Sequence, residues 1–212
     1  SRGMPATFIG HPAMKKNKIE EVQLPTGKPN IILLPGSRKS EIQKNLPMQQ
    51  EILRRIKMEF PKTTAVIACR GEDVERVQAY SNDVQIISDA LPAVLEWGDL
   101  ALCVSGTVSL HVMNHETPMI GMYKVNALSM FCSKIVLNTP HRLLPNLIVG
   151  KRIVPEFIPC KYTPRAIADV AIELLADEEA MQAMQNRLKQ EASVYSQHNP
   201  SKEAAEIILS FA

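Results

Sequence analysis

The chain has 212 residues, 45% of them hydrophobic and 22% charged, with 24 Lys and Arg against 22 Asp and Glu for a formal net charge of +2. That length suits one large domain or two small ones, and the charge balance excludes nucleic-acid binding by massed basic charge. No apolar stretch approaches the roughly 18 residues of a membrane span, no secretory leader stands before the first strand, and Cys69, Cys103, Cys132 and Cys160 form no C-x-x-C pair, so a cytoplasmic chain with reduced thiols is expected.

Taken in order, residues 6–9 form a short apolar run closed by Gly10-His11-Pro12, and residues 13–29 are rich in Lys, Glu, Pro and Gly, so 1–29 reads as a connector. Residues 30–34 are the first buried strand. Pro35-Gly36-Ser37-Arg38 ends it, and Ser40 with Gln43 suits the cap of a helix to about Phe60, kinked or delayed by Pro47. Strands follow at 65–69 and 84–87, with helices at 72–80 and 90–97. Residues 101–104 form a fourth strand, Ser105-Gly106-Thr107 a turn in which Gly tolerates positive φ and a hydroxyl caps the next helix, and 119–122 a fifth strand. A helix is expected over 127–137. From 138 to 159, four prolines with Asn146 and Gly150 break up apolar pieces, which reads as a buried crossing segment or a binding loop. Thr163-Pro164, Asp177 and Asn199-Pro200 each open a helix in the C-terminal third.

Strands alternating with helices imply an α/β, doubly wound parallel sheet of five or six strands, and 30–212 reads as one domain. In such a sheet Pro35-Gly36-Ser37-Arg38 and Ser105-Gly106-Thr107 both leave strands at the carboxyl edge, where ligands bind. The first offers amides, a hydroxyl and a guanidinium; the second offers a helix N-terminus, and together they suit a phosphate. Neither is a G-x-x-x-x-G-K-[ST] loop, and G-x-G-x-x-G is absent. His111 and His115 lie four apart on a predicted helix without an H-E-x-x-H, so no metal site is expected. No catalytic triad or carboxylate pair is framed by its neighbours.

Several segments resemble the C-terminal half of the lipid-A-disaccharide synthases. Thr7-Phe8-Ile9-Gly10-His11-Pro12 is similar to that family's T-F-V-G-H-P, and Leu33-Leu34-Pro35-Gly36-Ser37-Arg38 with Glu41 to its L-L-P-G-S-R-x-x-E-I. Ser105-Gly106-Thr107, Pro118-Met119 and Tyr123-Lys124 resemble S-G-T-x-x-L-E and P-M-V-V-x-Y-K. Leu144-Pro145-Asn146-Leu147-Ile148-Val149-Gly150 with Val154-Pro155-Glu156-Phe157 resembles L-P-N-L-I-A-G-R-x-V-V-P-E most closely.

The resemblance implies a Rossmann-like, GT-B type glycosyltransferase half with C-terminal helices. The activity implied is inverting transfer of diacylglucosamine from its UDP-sugar to diacylglucosamine 1-phosphate, releasing UDP, with no cofactor. It implies that Gly36, Ser37, Arg38, Ser105, Gly106, Thr107 and His111 bind the nucleotide sugar, and that Arg38 and Asn146 serve catalysis, Asn146 lining the cleft near the sugar. The acceptor site and base are then expected in a preceding domain, leaving this stretch alone inactive. Acylated substrates imply peripheral contact with the inner membrane at its cytoplasmic face, with Met122, Leu128, Met130 and Phe131 as candidate lipid contacts, although buried packing explains the same residues at least as well. His111 stands where the family has a glutamate expected on the ribose hydroxyls, and imidazole cannot accept two hydrogen bonds as a carboxylate can. A UDP-N-acetylglucosamine 2-epimerase and a non-catalytic nucleotide-binding module are the alternatives.

Overall fold

Four buried runs, one largely exposed run and one two-residue piece become the six strands of a single sheet in the computed structural model, which describes residues 7–14, 19–81, 83–124, 139–159 and 161–210. The strands are β1 (Asn30–Leu34), β2 (Thr64–Cys69), β3 (Gln85–Ser88), β4 (Leu100–Cys103), β5 (Met119–Met122) and β6 (Glu156–Phe157). Their order is β3-β2-β1-β4-β5-β6, and each neighbouring pair is parallel. Strand order therefore reverses between β1 and β4, which opens a crevice beyond their carboxyl ends.

The period-two pleat divides the core. Ile31 and Leu33 face Ile42, Leu46, Ile52 and Ile56 of α1 (Lys39–Glu59) and Ile167 and Ala171 of α6 (Pro164–Ala176). Ile32 and Leu34 face the other layer, with Val94 of α3 (Leu91–Trp97), Val112 and Met113 of α4 (Thr107–Asn114), and Met184, Leu188 and Ala192 of α7 (Glu178–Ser196). Each such side chain stabilises the fold by roughly 1.5–3 kcal/mol when fully buried. Both faces are covered, as a parallel sheet requires. The remaining helices are α2 (Val74–Gln78), α5 (Leu144–Val149) and α8 (Pro200–Leu209).

Several local expectations change. Helix α1 runs unbroken through Pro47, because Leu46, Met48 and Gln49 are buried around it and outweigh the lost hydrogen bond. Residues 72–80 split into a 3-10 turn, Gly71–Asp73, and the short α2. The irregular stretch 138–159 holds α5 and β6. In the segment expected to be a connector, Ala13 and Met14 are buried in the core. Met122 is fully buried rather than exposed to lipid. The helix expected at 127–137, with Leu128, Met130, Phe131 and Cys132, and the thiol of Cys160 lie outside the described residues. The three C-terminal caps stand as expected: Thr163, Asp177 and Asn199 each accept a backbone N–H of the following first turn.

Candidate functional site

A cavity of about 530 Å³ sits at the crevice, lined by the ends of four strands. Gly36, Ser37 and Arg38 reach it from β1, Cys69 and Arg70 from β2, Asp89 from β3, and Ser105, Gly106, Thr107 and His111 from β4 and α4. The two turns singled out in the sequence come together because β1 and β4 are adjacent strands on either side of the reversal, with the Val104 N–H bonded to Leu34 O at 3.1 Å.

The β1 turn is organised by Glu41. Gly36 has φ +107, and a Cβ there would lie 2.5 Å from Glu41 Oε2, so glycine is required twice over. Glu41 Oε2 accepts the N–H groups of Ser37 at 3.2 Å and Arg38 at 3.3 Å. Its Oε1 accepts from Arg38 Nη1 at 3.3 Å and from the Tyr123 hydroxyl at 3.2 Å. Arg38 is the N-cap of α1, so the expected Ser40-Gln43 cap moves two residues upstream and Glu41 takes the third helical position. Two amides expected to face a ligand are thus already held by a side chain. Burial and the Glu41 carboxylate both raise the Tyr123 pKa, which keeps its hydroxyl a donor.

The β4 turn is built differently. Gly106, the N-cap of α4, is extended at φ 163, and a Cβ there would meet nothing within 4 Å. Its glycine therefore serves open space rather than a left-handed turn. Ser105 does not cap the helix; its hydroxyl donates to Arg142 O at 2.8 Å. The Ser109 N–H is taken by Gly106 O at 3.0 Å, whereas helix geometry leaves the N–H groups of Thr107 and Val108, both on the cavity wall, without intrahelical acceptors at the positive end of the helix dipole.

Arg70, Asp73 and Asp89 were not singled out from the sequence. Asp73, 1% exposed, accepts from Arg70 Nε at 3.0 Å and Arg76 Nη1 at 2.6 Å. Asp89 adopts φ 57 and accepts the Gly71 N–H at 3.0 Å. Their signal was positional: β2 and β3 end at the same sheet edge, so polar residues just past them belong to the crevice. Burial, then Asp73 and Asp89, push the Cys69 thiol up to about 11, so it stays protonated at neutral pH. Burial, and next the nearby His11, lower the His111 pKa, which keeps the imidazole neutral.

Asn146 does not line this cavity. It is 0% exposed, and its amide group donates to Val154 O at 3.0 Å and Glu156 Oε2 at 2.8 Å, while its oxygen accepts from Ile153 N at 2.8 Å and Val154 N at 3.1 Å. Glu156 also accepts from Arg142 N and Leu143 N, so this pair ties α5 to β6. Among the described residues no group of three metal-ligating side chains converges.

Known proteins share both the fold and the sequence pattern. A glycosyltransferase of kitacinnamycin superposes with TM-score 0.61 at 17% identity, covering 96% of this chain and 48% of that one. Spinosyn rhamnosyltransferase SpnG, solved in complex with thymidine diphosphate, gives 0.59 at 14% identity over 92% of this chain and 54% of its own. These likenesses establish the GT-B glycosyltransferase fold. Lipid-A-disaccharide synthase of Nitrosococcus oceani is 32% identical over 87% of this chain and 51% of its own length. The Pseudomonas paraeruginosa enzyme of that name is 30% identical over 98% of this chain and 57% of its own length. The chain thus spans about half the length of the curated relatives it matches. With the family model for lipid-A-disaccharide synthetase matching residues 1–210, the chain belongs to that family.

Proposed function

We propose that this stretch is the nucleotide-sugar half of a lipid-A-disaccharide synthase, and that its cavity takes the UDP of a UDP-diacylglucosamine donor. The observation that carries this is the meeting of Arg38 and the α4 N-terminus around one cavity at the point where strand order reverses. A diphosphate fits between an exposed cation and a helix dipole, because both favour negative charge. The thymidine diphosphate reported with spinosyn rhamnosyltransferase supports a nucleoside diphosphate as the ligand class.

In the complete enzyme the acceptor is the 6-hydroxyl of diacylglucosamine 1-phosphate, presented by the other half. The acceptor oxygen attacks the anomeric carbon with inversion and gives its proton to the base expected in the other half. The bond to the diphosphate breaks, and its electron pair leaves with UDP. Arg38 and α4 oppose the charge that develops there. Thr107 heads the first turn of α4, and His111, one turn on, offers a neutral imidazole to a ribose hydroxyl. Asn146, fully buried, ties α5 to β6 rather than touching sugar. No helix among the described residues is long and apolar enough to cross a membrane. The acylated substrates of this reading place its membrane contact at the cytoplasmic face of the inner membrane, as a peripheral one.

Calorimetric titration of UDP into the chain tests the reading. UDP binds, and Arg38→Ala weakens it by about tenfold, the effect of one charge-assisted contact of roughly 1.5 kcal/mol. Absence of UDP binding at millimolar concentration refutes it.

A further inference from the structure

Glu41 gathers four donors from two distant parts of the chain: the amides of Ser37 and Arg38, the Arg38 guanidinium and the Tyr123 hydroxyl. A helix cap needs only the first two. The other two make its carboxylate a junction between the β1 turn and the exit of β5. The junction is doubled one turn along α1. There, fully buried Asn45 donates to Glu41 O at 2.9 Å and accepts the Lys124 N–H at 2.8 Å. Gly36 fits only because it lacks a Cβ where Glu41 packs. Arg38, whose side chain is 80% exposed, has its ion pair with Glu41.

We propose that Glu41 and Tyr123 are positioning residues that hold the Arg38 turn in its ligand-binding form, a role that rests on the nucleoside-diphosphate reading above. An exposed ion pair contributes little to stability by itself. Its consequence here is preorganisation: a flexible turn with a long arginine would otherwise be ordered only on binding, at the expense of affinity. Tyr123 keeps Oε1 turned toward Arg38, and Asn45 holds the backbone of both partners whether or not the hydroxyl is present. The hydroxyl can therefore be removed while the fold stays intact.

The test compares UDP with uridine on the full chain, by calorimetry for UDP and ligand-observed NMR for uridine, with thermal midpoints recorded for each variant. Glu41→Gln swaps one carboxylate oxygen for an amide that cannot accept from the donors facing it, and Tyr123→Phe removes one donor. UDP affinity falls about tenfold and about threefold respectively, the scale of ordering a side chain on binding. Uridine, lacking phosphate, is held as before. Tyr123→Phe adds no further loss in an Arg38→Ala background, because its effect passes through Arg38. Tyr123→Phe alone decides the matter if Glu41→Gln does not fold.

Wild-type binding with both variants unchanged overturns the inference and leaves the nucleotide reading standing. So does tighter UDP binding by Glu41→Gln, which would make the carboxylate a mere repellent of the diphosphate. An equal loss for UDP and uridine marks a purely structural role and likewise overturns it. A wild-type chain that takes up no UDP overturns the nucleotide reading and this inference with it.

Discussion

His111 stands on the cavity wall one helical turn into α4, with its pKa lowered by burial first and by His11 second. Both causes disfavour the imidazolium in the folded protein. Below the ordinary histidine pKa of 6.5, the unfolded chain binds a proton there that the folded chain resists, so stability is full above that pH and falls as pH drops through it. Thermal midpoints measured from about pH 7.5 down to about pH 5 should decline, and His111→Gln should flatten the decline, because an amide has no proton to take up. Parallel curves for the two proteins would refute the assignment of this titration to His111. The same neutral imidazole is the form able either to donate to or accept from a hydroxyl, which joins the pH argument to the ligand argument at one side chain.

At the scale of elements, the stretch from α5 to β6 is held by one buried amide. Asn146 uses its carboxamide on four partners within residues 153–156, and Glu156 spans back to the amides of Arg142 and Leu143. Asn146→Ala leaves two backbone N–H groups, a carbonyl and a carboxylate without that partner, a loss of about 2–3 kcal/mol. That corresponds to a midpoint lowered by roughly 4–12 °C in a chain of this size. UDP affinity, measured well below the midpoint, should hold within about twofold, since independent sites add. A large loss of UDP affinity with an unchanged midpoint would return Asn146 to the ligand and refute the structural role.

Elements of this kind also mark where the sequence was readable. Residues 31–34 of β1 and all of β4 and β5 are buried runs of four residues with no polar side chain, and their pattern leaves little else for them to be. Strand β6 is two residues, Glu156 and Phe157, framed by Pro155 and Pro159, too short to carry a period. It exists because Gly121 and Met122 offer it a free edge. The C-terminal caps were plain because capping is local chemistry within three residues. The α1 cap was not, because Ser40 and Gln43 fit the capping pattern better than Arg38 does, yet the helix starts where Glu41 takes the Ser37 and Arg38 amides and the hydroxyl of the distant Tyr123. The same division holds for the site. Gly36-Ser37-Arg38 and Ser105-Gly106-Thr107 announce themselves by composition, whereas Arg70, Asp73 and Asp89 acquire meaning only from the sheet edge they share.

For the molecule as a whole, the first and last described segments meet on the side of the sheet covered by α4. Phe8 packs edge-on against Tyr195 and His198, with ring centroids 5.8 and 5.1 Å apart, and Ala13 and Met14 pass beneath into the core with Leu188 and Ala192 of α7. Helix α4 thus has the incoming chain and α7 packed on it while its N-terminus faces the cavity. Met14, 4% exposed, is not among the cavity-lining residues, so Met14→Ala should cost about 2–5 kcal/mol of stability without altering the ligand site. UDP, bound only by the native fold, should add about 2.7 kcal/mol at one hundred times its dissociation constant. The two effects should add, giving the variant a lower midpoint but the same UDP-induced rise, roughly 5–11 °C, as the parent. A smaller rise in Met14→Ala, read by differential scanning calorimetry at matched saturation, would show that the incoming segment sets the pose of α4 and through it the grip on diphosphate. Independence of the two faces of that helix would then be refuted.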